Sequence, residues 1–267
     1  MKHRLATGYL ILVFILLYAP IIFLMVYAFS QGETMTNFHG FTWRHYQTLF
    51  SDTRMLAIVA NTLLIALLSA LIATLIGTLG ALSITRTTRR VTRDSLLTLN
   101  NVLMVSPDVI IGASFLIFFT MLKIPLGFGT VLLSHIAFEI PIVVLMVLPR
   151  LREMSTSLLD AAQDLGATTR QLLTHVVIPF ISPGIFAGFF MALTYSLDDF
   201  AVTFFVTGNG FSTLSVEIYS RARQGINLEI NALSGVMFLF SLLLVAGYYW
   251  IQQAGHKRRR RKREVTS

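Results

Sequence analysis

The sequence contains no cysteine. Disulfide frameworks, thiolate metal sites and cysteine nucleophiles are thereby excluded. Charge is also scarce: Asp, Glu, Lys and Arg make up 13% of residues, where a soluble globular domain carries about a quarter. The 17 glycines and 7 prolines follow no short period, and 21 phenylalanines outnumber either, which excludes collagen-like and disordered chains. What remains is apolar, with 55% hydrophobic residues over 267 positions and a mean hydropathy of +0.71. So little polar surface cannot cover a water-soluble body of this size. The composition is that of a membrane protein.

Charge-free stretches set the expected spans, because crossing the hydrocarbon core takes roughly 20 apolar residues. Backbone amides and carbonyls must pair internally in lipid, so runs of this length read as helices rather than strands. Six transmembrane helices are expected, at about 8–29, 58–84, 97–122, 127–148, 179–202 and 231–252. The first follows a basic start, Met1-Lys2-His3-Arg4, and ends near Ala28-Phe29-Ser30, a layout that loosely resembles a cleaved signal peptide. Its 22 uncharged residues, Gly8 to Phe29, exceed the 7–15 of a signal core, so it reads as a retained anchor. The chain then divides into a first helix with an external loop (1–57), a five-helix core with a loop at about 150–178 (58–252), and a basic tail (253–267).

Lysine and arginine set the orientation. One face receives Lys2 and Arg4, the 85–96 loop with Arg86, Arg89, Arg90 and Arg93, the 149–178 loop with Arg150, Arg152 and Arg170, and the run Lys257 to Arg263. The other receives only Arg44, Arg54, Lys123, Arg221 and Arg223. Both termini are therefore expected in the cytoplasm. The polybasic tail reads as a topology signal lying against anionic membrane lipid, not as a nucleic-acid site.

Three proline positions promise irregular helices. Ser106-Pro107-Asp108 should interrupt the third span, with Ser106 capping a new helix. Ser182-Pro183 should act similarly in the fifth, and Pro141 should kink the fourth. Broken helices at membrane depth are tolerated where they line a cavity, which points towards a transport pathway.

The loop between the fourth and fifth spans contains Leu158-Leu159-Asp160-Ala161-Ala162-Gln163-Asp164-Leu165-Gly166 and runs on to Val176-Val177-Ile178-Pro179. Asp160 to Leu165 reads as a short helix with an acidic start, and Gly166 as its stop. Small Ala161 and Ala162 would let another protein approach closely; the plainer reading is an amphipathic connector on the membrane surface. The run resembles the EAA loop of ATP-binding-cassette importer permeases. Asp160-Ala161-Ala162, Gly166, Val176, Ile178 and Pro179 fall at that motif's spacing, with Asp for Glu, Val for Ile and Ile for Leu as departures. The resemblance implies that this helix docks into a partner ATPase, making Asp160, Ala161, Ala162, Gly166 and Pro179 coupling residues.

The other chemistry-bearing set is the intramembrane acids: Asp108, Glu139, Asp198 and Asp199, the last pair inside Tyr195-Ser196-Leu197-Asp198-Asp199-Phe200. An ionisable residue within a span is a functional hypothesis by default. Each has a bland alternative: a helix-start charge for Asp108, a hydrogen bond to Ser, Thr or His135 for Glu139, and a wetted interface for Asp198 and Asp199. No Lys or Arg inside the spans offsets them, so the set suits a cationic ligand, to which Tyr195 would add a cation–π face.

Val105-Ser106-Pro107-Asp108-Val109-Ile110, Leu193 to Phe200 and Phe205-Val206-Thr207-Gly208 resemble the spermidine/putrescine family of these permeases. The resemblance implies an all-α polytopic membrane protein with the type I importer permease (MetI-like) fold. It also implies a bacterial plasma (inner) membrane location and substrate contacts at Asp108, Asp198, Asp199, Tyr195 and Glu139. The implied partners are a homologous second permease subunit, two ATPase subunits carrying ATP and Mg, an external (periplasmic) substrate-binding protein and a polyamine. No cofactor and no metal is expected in this chain. Another small solute (an amino acid, an anion or a metal) remains an alternative within the family.

Two rival classes fit less well. An intramembrane aspartyl protease would share a proton between two aspartates, but Asp108 follows Ser-Pro and Asp198 follows Ser-Leu, without the Gly-x-Gly-Asp of such enzymes. There is no Gly-x-Ser-x-Gly, no His-Glu-x-x-His and no Walker sequence, so no catalytic residue is assigned and ATP hydrolysis is left to partners. A stand-alone secondary transporter commonly shows duplicated halves, and none is visible here.

Overall fold

A computed structural model describes residues 2–32, 35, 37–224 and 228–264; residues 265–267 of the basic tail lie outside the described residues. The described residues are helical apart from turns and one isolated bridge, Ser30 to Phe41. In chain order the helices are α1 (Lys2–Tyr27), α2 (Arg44–Ser51), α3 (Thr53–Arg86), α4 (Arg90–Val105), α5 (Asp108–Met121) and α6 (Phe128–Glu153). They continue with α7 (Thr156–Asp164), α8 (Thr169–Gln171), α9 (Ile178–Asp198), α10 (Ala201–Val206), α11 (Leu214–Gln224) and α12 (Leu228–Glu264). Between α8 and α9 the chain keeps turning as a wider π-helix, Leu172–Val177.

Among the described residues, five stretches are long and apolar enough to cross a membrane: Ala6–Tyr27, Thr53–Arg86, Phe128–Glu153, Thr169–Asp198 and Leu228–Gly247. The third expected span, 97–122, is not one helix. It is the pair α4 and α5, bent by 105° at Ser106-Pro107, and counts as a span only if the bent pair is taken together. The bend follows from Pro107, which has no amide hydrogen and forces Ser106 into extended backbone (φ −70°, ψ 135°). Ser106 does not cap α5, contrary to expectation: its Oγ donates back to the Val102 carbonyl at 2.7 Å, and Asp108 opens α5 directly after Pro107.

The fifth span also differs from expectation. It begins earlier, through α8 and the π-helix, ends at Asp198 rather than 202, and runs unbroken through Pro183. Pro183 cannot donate to the carbonyl of Pro179, four residues back; Ser182 Oγ donates to it instead, at 3.0 Å. The orphaned acceptor is thus satisfied and the helix survives. Helix α6 likewise passes Pro141 without a break.

The chain forms two compact units. One comprises residues 57–217, the other 1–56 with 218–267. In the first, Ala66, Ala70, Ala73 and Ala81 form a small-residue stripe on α3 that packs against Val143, Val144 and Val147 of α6. Gly77 belongs to the same stripe: a Cβ there would lie 2.7 Å from Val143 Cβ and 3.1 Å from the Ile140 carbonyl oxygen. Small residues let the helices approach and gain dispersion contacts, which drive packing where lipid removes the hydrophobic effect. Ile181, Ala192 and Leu193 of α9 complete this core. A second cluster joins Ile111 and Phe119 of α5 to Val131 and Phe138 of α6 and to Val202 and Val206 of α10.

In the second unit α1 packs along α12, and α12 also meets α2. Phe29, Phe41, Trp43 and Tyr46 stack around the turn after α1. Arg221 lies between Asp52 (3.7 Å) and Glu229 (3.6 Å), tying the end of α11 to the turn before α3 and to the start of α12.

Candidate functional site

Adjacent Asp198 and Asp199 have opposite fates because α9 ends between them. Asp198 is the last residue of α9 and stays exposed. Asp199 turns to extended backbone (ψ 119°) and is buried. Its Oδ1 accepts the amide of Val202 (3.2 Å), and its Oδ2 accepts the amide and hydroxyl of Thr203 (2.8 and 2.7 Å). The carboxylate therefore satisfies the free amides opening α10.

Asp108 opens α5, where a negative charge is favoured by the helix dipole. It is exposed, and its Oδ1 accepts the Tyr195 hydroxyl of α9 at 2.9 Å. The Tyr195 ring packs edge-on against Phe138, with centroids 5.3 Å apart. Asp108 and Tyr195 are thus brought together at the α4–α5 bend.

Glu139 is completely buried. Ser69 Oγ of α3 donates to its Oε1 at 2.8 Å, while its Oε2 has no hydrogen-bond partner. His135, one turn earlier on α6, touches Ser196 Oγ through Nδ1 (2.6 Å) and Thr203 Oγ1 through Nε2 (2.8 Å). Asp199 Oδ2 is 3.5 Å from the same Nε2. Ser196, His135 and Asp199 have the composition of a hydrolase triad, yet Ser196 is only 4% exposed and packed among helices, so no substrate carbonyl reaches it. Among the described residues no group of His, Asp and Glu is arranged to hold a metal ion. The expected site residues therefore separate into an outward pair with Asp198 nearby in sequence, and an inward network holding Glu139 and Asp199. His135, Ser69, Ser196 and Thr203 were not singled out from the sequence as members of one site. The only signal for them was the unusual density of hydroxyl and imidazole groups on otherwise apolar helices.

On the loop, α7 starts at Thr156 after Ser155, so Asp160 is its fifth residue and not the N-terminal acid expected. The stop is at Gly166, in the left-handed region at φ +79°. Its amide donates to Gln163 O (2.8 Å) and that of Ala167 to Ala162 O (3.1 Å), the paired bonds of a Schellman ending. Leu159 and Ala162 pack on the core, whereas Asp160, Ala161, Gly166 and Pro179 are exposed and Leu165 is 89% exposed. Helix α7 thus has one face anchored and one face open.

Residues 73–261 match the family model described as "Binding-protein-dependent transport system inner membrane component". The spermidine/putrescine transport system permease protein PotC of Escherichia coli K12 is 36% identical over 89% of this chain and 90% of its own length. The Haemophilus influenzae PotC is 32% identical over 91% and 95%. The putrescine transport system permease protein PotI of E. coli K12 is 34% identical over 94% and 91%. Among solved structures, a bacterial ABC transporter involved in import of the acidic polysaccharide alginate matches with a TM-score of 0.74 at 21% identity, over 92% of both chains. The MetNI methionine ABC transporter matches with a TM-score of 0.58 at 21% identity, over 77% of this chain and 96% of that one.

This chain belongs to the binding-protein-dependent transport system inner membrane component family. It is an all-α, polytopic permease subunit with the fold of ATP-binding-cassette importer permeases.

Proposed function

We propose that the chain forms half of the pathway through which a polyamine, spermidine or putrescine, crosses the inner membrane. The observation that carries this reading is the Asp108–Tyr195 pair, a carboxylate held beside an aromatic ring on an exposed surface at the α4–α5 bend. Such a pair offers an ammonium group both a counter-charge and a π face. Asp198, exposed at the end of α9, supplies a second carboxylate. Glu139 and Asp199, also expected as substrate contacts, are instead buried and bonded to Ser69, Val202 and Thr203 within the helix packing. The names of the relatives, spermidine/putrescine and putrescine permeases, agree with a cationic substrate.

The same reading assigns the partners. A homologous permease completes the pathway, an external binding protein delivers substrate, and two ATPase subunits with ATP and Mg drive the cycle through α7. Asp160, Ala161, Ala162, Gly166 and Pro179 form the contact with the ATPase. Both termini and the 85–96 and 149–178 loops face the cytoplasm, so cysteines placed at Ser51 or Ser212 react with an impermeant thiol reagent from outside; labelling only from inside reverses the assignment.

The deciding experiment is polyamine uptake by Asp108→Asn and Asp198→Asn at matched membrane expression. Losing one charge-assisted contact costs about 1–3 kcal/mol. That corresponds to roughly 5–150-fold in affinity or in a pathway-limited rate. Tyr195→Phe, which keeps the ring and loses only the hydroxyl, falls by less. Normal uptake by both Asn variants removes the polyamine pathway from these residues.

A further inference from the structure

Helix α9 is entered through a turn that closes one residue late. The amide of Ile178 donates to the carbonyl of Leu173, five residues back, at the end of the π-helix Leu172–Val177. The buried row shows the same extra residue. It runs Leu172, Val177, Ile181, Gly184, Gly188 and Ala192, a step of five followed by steps of four, three, four and four. In an α-helix five residues turn about 140° past a full circle, so Leu172 and Val177 would lie on different faces. The wider turn brings both into the core shared with α3 and α6.

The residue that an α-helix would place beside the core is Leu173, four before Val177. It is a second leucine, partly buried against the same core. Four residues earlier stands another doublet, Thr168-Thr169, of which Thr168 is the N-cap of α8. A shift of one residue therefore exchanges leucine for leucine in the core and threonine for threonine at the cap. Pro179 narrows the advantage that an α-turn otherwise holds: it has no amide hydrogen for the His175 carbonyl, and its ring crowds that group.

We propose that Leu172–Val177 is a two-position register switch between α7 and α9, with Leu172 in the core of the wide turn and Leu173 in the same place of an α-turn. Passing from the first position to the second releases Thr168 into the link Leu165–Ala167 that follows α7, while the helix after Val177 stays in place. One residue lengthens that tether by at most about 3.5 Å. With the short tether, movement of α7 is passed to α9; with the long one, α7 moves further before α9 follows. The role rests on the reading of α7 as the ATPase contact, because closure of a docked ATPase is what pulls on the tether and biases the two positions.

The sequence has no cysteine, so single cysteines report cleanly. Leu172→Cys and Leu173→Cys permeases, assembled with the ATPase in detergent, are labelled with a small maleimide without nucleotide and after trapping with ATP and vanadate, and the label is read on this chain by mass spectrometry. In the wide turn position 173 reacts faster than 172, and in the α-turn the order inverts. The expected result is that inversion between the two nucleotide states; one fixed order in both overturns the switch. A second measurement needs no partner. In the permease alone, Leu172→Ser and Leu173→Ser each leave one leucine for the core, so the double variant lowers the thermal midpoint by more than the two single losses together. Additive losses overturn the switch as well. Gly166→Arg separates the underlying reading: if it abolishes ATPase binding, α7 is the contact and a fixed labelling order counts against the switch alone. If the ATPase still binds, the docking assignment falls, and the midpoints of the serine variants decide whether the two registers exist.

Discussion

Helices α1 and α6 are both long, apolar and able to cross a membrane, yet they live in different surroundings. None of the most apolar window of α1 is buried within the chain, against 56% of that of α6. Hydropathy does not separate them; polar and small-residue partnerships do. Helix α6 buries Thr130, Ser134, His135 and Glu139 and meets the small-residue stripe of α3, whereas α1 from Gly8 to Tyr27 presents large apolar side chains around most of its circumference. In water the greasier helix would be the core. In lipid, apolar surface gains little by leaving the tails, so close packing and polar pairing choose the interior.

That contrast can be broken first at its tightest contact. Gly77→Leu forces a side chain into the space held by Val143 and the Ile140 carbonyl, and should cost about 3 kcal/mol, the upper end of ordinary overpacking. The check is the unfolding midpoint of purified protein, and retention of the parent midpoint would mean that α3 and α6 do not need their close approach. Next is Asp199→Ala, which removes the acceptor for two amides and one hydroxyl and should cost about 1–3 kcal/mol. Hydrogen exchange at Val202 and Thr203 should accelerate while α3 is unchanged.

Gly166→Ala lies outside both helices. Its position in the left-handed region costs a non-glycine residue about 1–2 kcal/mol locally, although nothing crowds the new methyl group. Insertion and the thermal midpoint of the spans should hold, with ATP-driven uptake reduced, and more severely so for Gly166→Arg. Normal uptake by the Arg variant removes α7 from coupling. The smallest effect is expected at Leu16→Ala on α1, within about 0.5 kcal/mol, because 65% of the side chain is already exposed to its surroundings. A large loss there would show that α1 is a packed face in the assembled transporter.

Much of this architecture was legible in the residues. Charge-free runs located the apolar spans because the bilayer sets their length, and Pro107 marked the bend because it holds Ser106 in extended backbone. The role of Ser106 was misjudged: a serine before proline has its own backbone fixed in extended form and finds a closer acceptor in Val102 O. Ser182 was misjudged in the opposite sense, since the feature expected to break α9 repairs it by serving the carbonyl that Pro183 leaves free. Both outcomes depend on which acceptor lies within reach, a matter of three-dimensional distance.

The sequence alone determined that this is an α-helical membrane protein, roughly where it crosses, and, through the spacing from Asp160 to Pro179, where it resembles a coupling loop. Only the tertiary structure divided the acids. Asp198 and Asp199 are neighbours of identical chemistry, and no property of either residue tells which is exposed. The end of α9 decides it, turning one carboxylate outward and bringing the other to the amides of α10. Ser69, His135, Ser196 and Thr203 are likewise spread over more than 130 residues of chain. They become one hydrogen-bonded line because a buried polar group must find its partners within about 3 Å, and helix packing alone supplies them.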